Sequence, residues 1–168
     1  MTVSNLHLTG TENVDQLYLN LNPAFDPLKL QFTYVSSSGG FDLPSVSEGT
    51  NAFKAGGDGK YDVLFNFTSN SNDKHQFTQG EYFTYDISGI PGLQAADFDY
   101  LSLPAGGAGP FYAAAHVQRI GTGSLSGWIS GTLVQSLIAV PEPSGIAIIL
   151  LGISTSLLYR RSNSRRSH

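Results

Sequence analysis

His116 stands in an alternating run, Tyr112, Ala114, His116, Gln118, with Phe111, Ala113, Ala115 and Val117 on the opposite face. An imidazole there could serve as a general base, since histidine titrates near neutrality. Nothing at readable spacing pairs it with a nucleophile, so a solvent-facing or cross-strand hydrogen-bonding histidine is expected. Asp58 and Asp62 in "AGGDGKYD" could open a calcium loop, because calcium takes six to eight oxygens from closely spaced carboxylates and carbonyls. The intervening Gly59, Lys60 and Tyr61 do not supply them, and Lys60 adds a positive charge. A glycine turn leading into a strand is the favoured reading. Asp97 and Asp99 share one face if "DFDY" is extended, as solvated positions beside a buried Phe98. Tyr82, Tyr112 and Trp128 are candidates for stacking on sugar rings, though a lone tryptophan is more often core. Two carboxylates facing each other could hydrolyse a glycoside, but no pair stands out among the acidic residues. The chain contains no H-E-x-x-H and no G-x-S-x-G, and "GTGSLSG" misses the G-x-G-x-x-G spacing by one residue. No metal or cofactor is expected.

The elements that must position these residues read as strands. "VDQLYLNL" places Leu17, Leu19 and Leu21 on one face, and "LKLQFTYV" does the same for Leu28, Leu30, Phe32 and Tyr34. "KYDVLFNFT" groups Tyr61, Val63, Phe65 and Phe67 opposite Asp62 and Asn66, and "EYFTYDIS" offers Phe83, Tyr85 and Ile87. "DFDYLSL", "FYAAAHVQRI" and "GWISGTLVQSLIAV" follow as further strands. Breakers separate the runs: "NPAFDP", "SSSGG", "AGGDG", "SNSNDK", "SGIPG" and "LPAGGAGP". Only "PGLQAADFDY" hints at a helical turn, near residues 93–96. Six to eight short strands without a long helix predict an all-β fold, an antiparallel, jelly-roll-like β-sandwich over residues 1–138.

Composition narrows the function classes. The chain has no cysteine, which removes disulfides, thiolate zinc sites and a cysteine nucleophile. Residues 1–140 hold twelve of the thirteen acidic residues but five of the nine basic ones. So acidic a body lacks the cation clusters that bind phosphate backbones, and no nucleic-acid partner is expected. The first residues, "MTVSNLHLTGTENV", have neither a basic nor an apolar leader segment. If the protein is exported, its start is expected further upstream.

Residues 139–168 differ in kind. Pro141 and Pro143 exclude a strand ladder and stiffen an exposed Pro-Glu-Pro stretch. The run 145–159 then carries no charge; as a helix it measures about 22 Å. A bilayer core is ~30 Å, so the helix is short for a permanent span. Its apolar content comes from Gly145, Ile146, Ile148, Ile149, Leu150, Leu151, Gly152, Ile153, Leu157, Leu158 and Tyr159. Arg160, Arg161, Arg165 and Arg166 follow on one side only, the pattern of a stop-transfer charge that stays cytoplasmic.

In this order, Val140-Pro141-Glu142-Pro143-Ser144, the short glycine-containing apolar run and the arginines resemble the PEP-CTERM sorting signal of Gram-negative bacteria. The resemblance implies export, temporary retention in the inner membrane by a short transmembrane helix, and recognition by an exosortase. That membrane enzyme would cut near Pro141, Glu142 and Pro143. The product would be released or attached at the surface, in the setting of biofilm and exopolysaccharide. The stretch "GPFYAAAHVQRIGTGSLSGWI" is similar to the Gly- and Tyr-rich ectodomains that precede such tails. A non-enzymatic, secreted or cell-surface protein is therefore expected. A carbohydrate-binding module or carbohydrate-active enzyme, and an uncleaved membrane-anchored protein, are the two rival expectations.

Overall fold

The computed structural model describes residues 1–4, 8–68, 75–121 and 125–131. Nine strands are described: β1 (Thr2–Ser4), β2 (Asn13–Leu19), β3 (Gln31–Ser38), β4 (Ser45–Lys54), β5 (Lys60–Asn66), β6 (Phe77–Thr78), β7 (Tyr82–Ser88), β8 (Ala113–Ile120) and β9 (Leu125–Gly131). They form two sheets. The smaller has the order β1-β7-β3, the larger β4-β5-β2-β8-β9, with β6 also paired to β2. The pairings are antiparallel, so the all-β expectation holds. The sorting motif, the apolar run 145–159 and the four arginines lie outside the described residues. Among the described residues no helix is long and apolar enough to cross a membrane.

One core joins the two sheets. Phe83 of β7 is fully buried against Phe65 of β5, with ring centroids 5.8 Å apart. Phe67 and Phe77 stack at 4.9 Å and both meet Phe83, at 5.6 and 5.3 Å. Phe41, from the connection before β4, closes the cluster 4.7 Å from Phe77. The expected inward faces of β2 and β7 are present: Leu17, Leu19 and Ile87 pack on this core, and Leu21 and Tyr85 are buried in it.

Three local readings are corrected. Leu28 does not join the β3 face: Pro27–Lys29 is a 3-10 turn, and Leu28 is 71% exposed. Proline favours such a first turn, and the Asp26 carboxylate accepts the Leu28 N–H at 3.1 Å. The "DFDYLSL" strand is absent too: Ala95–Phe98 forms a second 3-10 turn, and only Leu103 makes a bridge, to Lys60. The Asp97 carboxylate accepts the Gln94 N–H at 2.8 Å, a local bond that competes with extended backbone. Asp97 and Asp99 therefore do not line one strand face. Finally, Tyr61 leaves the face of Val63 and Phe65 and packs in a second cluster with Tyr18, Ala55 and Ala114. Opposite this point β4 shifts register between Glu48 and Phe53, and the Asp62 carboxylate accepts the N–H groups of Leu21 (2.9 Å) and Asn51 (2.7 Å).

Candidate functional site

The larger sheet turns its second face away from the phenylalanine core. Strand register sets what that face displays, because residues paired across neighbouring strands point to the same side. Ser45 pairs with Asn66, Asn66 with Gln16, Gln16 with His116, and His116 with Trp128. One lateral row thus crosses β4, β5, β2, β8 and β9, about 19 Å at ~4.8 Å per strand. Its members are a hydroxyl, two carboxamides, an imidazole and an indole.

Asp15 fixes the imidazole. Strict alternation puts Asp15 on the core face with Leu17 and Leu19. A register shift between Val14 and Gln16 breaks that alternation, and the side chain turns to His116 instead. Bulges re-aim side chains in this way. His116 Nδ1 lies 2.7 Å from Asp15 Oδ1, and Gln118 Nε2 donates to Asp15 Oδ2. With the carboxylate ionised, Nδ1 is the donor, and in the neutral form of the ring Nε2 is then an acceptor. The cross-strand hydrogen-bonding role expected of His116 is therefore present, and its aspartate partner is new. Only a readable bulge would have pointed to it.

Trp128 covers the other side of the imidazole, ring centroids 4.8 Å apart. Tyr18 lies 5.7 Å from the same indole and 5.6 Å from Tyr61. The indole edge abuts Gly56, whose φ is +53°; a β-carbon there would come within 2.8 Å of Trp128 Nε1. Trp128 keeps 36% of its surface open. Tyr18 donates its hydroxyl to Gln16 Oε1 at 2.8 Å, tying the buried ring to the row. Burial, and then the nearby Asp15 charge, raise the Tyr18 phenol above its ordinary value, so it stays a neutral donor across the physiological range.

The remaining candidates have other tasks. Asp58 Oδ2 accepts from the Ser130 hydroxyl at 2.7 Å, and Asp62 holds the two backbone donors already described. A turn connects them: Asp58 N–H donates to Ala55 O (2.8 Å) and Ala55 N–H to Gly59 O (3.0 Å). The two carboxylates face different partners, so the glycine turn, not a calcium loop, describes this segment. Among the described residues no three His, Asp or Glu side chains converge to hold a metal ion. His75 pairs with Asp42 at 3.0 Å on an exposed loop. Tyr82, Tyr112 and Trp128 are not brought together: Tyr82 lies on β7, while Tyr112 lines a separate cleft of about 610 Å³.

No protein-family model matches the chain, and neither the curated proteins nor the solved structures contain a match to it.

Proposed function

We propose that this protein is an exported, non-enzymatic surface or extracellular-matrix protein of a Gram-negative bacterium. Residues 1–138 would be a jelly-roll-like β-sandwich ectodomain, and residues 139–168 a PEP-CTERM sorting segment. The short apolar helix holds the precursor in the inner membrane, with Arg160, Arg161, Arg165 and Arg166 on the cytoplasmic side. An exosortase then cuts near Pro141-Glu142-Pro143. The observation that carries this reading is the order of the three parts in residues 140–161: rigid Pro-Glu-Pro, uncharged run, arginines. The acidic, cysteine-free body before it is in keeping with an ectodomain that folds without disulfides.

Changing Pro141, Glu142 and Pro143 to alanine is expected to leave the body folded and to block processing. Mass spectrometry of the protein recovered from its native host reads the result. A wild-type carboxyl terminus near residue 143, with the variant retained to His168, supports sorting. An intact His168 in the wild type would instead make the protein a permanently anchored one.

A second reading is favoured by the row on the larger sheet: the ectodomain binds carbohydrate. An open indole beside hydroxyl, carboxamide and imidazole groups suits the apolar ring faces and hydroxyls of an uncharged glycan, such as an exopolysaccharide. Trp128→Ala should weaken retention on a neutral polysaccharide matrix about tenfold, as loss of a central aromatic anchor does. Equal retention of wild type and variant in affinity electrophoresis would remove this role from Trp128.

A further inference from the structure

The larger sheet ends on β9, and among the described residues β8 is the one strand paired with it. An open strand edge is a template for pairing with another chain, so natural edges are blunted by charge, bulges or shortness. The other edge strands described here follow that rule. β4 carries Glu48 and Lys54 and shifts register between Glu48 and Phe53. β3 bulges between Tyr34 and Ser36, and β1 has three residues. β9, Leu-Ser-Gly-Trp-Ile-Ser-Gly, has no charge and no proline, and it pairs with β8 without a break from Ser126 to Gly131.

One face of this edge strand is apolar and open. Ile129 pairs with Ala115 and Leu125 with Ile120, and Ala115 and Ile120 pack on the phenylalanine core. Yet Ile129 is 56% exposed and Leu125 68%. The strand is complementary to itself when a second copy runs antiparallel to it. In the register that pairs all seven residues, Trp128 meets its own copy. Ser126 then meets Ser130, while Ile129 and Leu125 meet Gly127 and Gly131 of the other copy. Each large side chain thus faces a glycine. Ile129 and Leu125 of one copy both lie diagonal to Ile129 of the other, within reach of one another. No charged residue of the strand is brought against its like across the two-fold, which matters for a body as acidic as this one.

We propose that β9 is a homodimer interface. Two copies of this chain pair edge to edge about a two-fold axis at Trp128, and their larger sheets become one continuous sheet. A two-fold contact of this kind is closed, because it consumes the open edge of both copies. It also joins the two lateral rows end to end, about 43 Å across ten strands. The pairing does not rest on the glycan reading, and its test needs no glycan.

The cysteine-free sequence lets cross-linking test this register. The full chain carrying Ser126→Cys and Ser130→Cys, purified in a mild non-ionic detergent and oxidised with copper phenanthroline, should run as a disulfide dimer on a non-reducing gel. Paired positions in such a ladder lie about 4.5–5.5 Å apart at Cα, within disulfide reach. Each single variant should stay monomeric, because like positions of the two copies are about 13 Å apart along the strand. Leu125→Cys with Gly131→Cys, the outer pair of the same register, should cross-link as well. Adding Ile129→Lys to either double variant sets a charge at an exposed edge position and should abolish the dimer band, with the circular dichroism of the reduced protein unchanged. Equal cross-linking in single and double variants would show association without this register and overturn the proposal. Double variants that stay monomeric would overturn it too, leaving β9 to a partner of another kind, as would a dimer band that survives Ile129→Lys.

Discussion

Replacing Phe83 with alanine should lower the stability of the folded part by about 3–5 kcal/mol, as deletion of a fully buried aromatic ring generally does. Phe83 is the member of the smaller sheet that touches most of the aromatic core. Its ring lies within 6.3 Å of Phe41, Phe65, Phe67, Phe77 and Tyr85. Removing it takes away both the apolar area and the ring contacts through which β7 grips the larger sheet. The surrounding rings come from β5 and the residue after it, β6, β7 and the loop before β4, so they cannot collapse into the gap together. Domain stabilities run about 5–15 kcal/mol, so the loss is a large share of the total. Denaturant titration of the full chain, followed by near-ultraviolet circular dichroism, measures it. Phe83→Leu should cost much less, because most of the volume remains. A loss below about 1 kcal/mol for the alanine variant would mean that the two sheets do not depend on this core.

Asp62→Ala should cost about 1–3 kcal/mol and should also disturb the face that carries Trp128. The Asp62 side chain serves the Leu21 and Asn51 N–H groups from a nearly buried position. Alanine leaves both donors without their protein partner; the Leu21 N–H is the buried one, and an unpaired buried donor costs about 1–3 kcal/mol. Asn51 has φ +50°, an uncommon conformation for a residue with a β-carbon, so its loop depends on that bond. The same carboxylate stands where Tyr61 is diverted into the cluster with Tyr18, beneath Trp128. Its loss should therefore change Trp128 fluorescence at denaturant concentrations where the variant is still folded. Asp62→Asn tests the account further. A carboxamide has one acceptor oxygen and an N–H₂ group that would confront the second backbone N–H, so it should recover only part of the stability. A full recovery with asparagine would show that one acceptor suffices.

The two effects differ in how far they could be read from residue order. Phe83 lies in an alternating run with Tyr85 and Ile87, and alternation alone places all three inward. Phe65, Val63 and Leu17 follow the same rule. A strand's side chains alternate because of local backbone sterics, whatever the partner strand. Leu28 broke the rule for a local reason as well, since Asp26-Pro27 favours a turn over a strand. Asp15 and Tyr61 broke it for a reason that is not local. Each sits where one strand carries more residues than the strand opposite, and that mismatch exists only once both strands are paired.

Residue order by itself determined that the described body of this chain is all-β and antiparallel, since period-two apolar runs cut by Gly, Pro, Asn and Asp have few other solutions. It also set the chemistry of residues 139–168, whose composition separates them from the body. Only the folded chain decided which aspartates hold turns, caps and the His116 ring. Carboxylates of one type look alike in a sequence. Their roles follow from the donors that packing brings to them, and those donors stand far along the chain: His116 for Asp15, Ser130 for Asp58, Leu21 for Asp62.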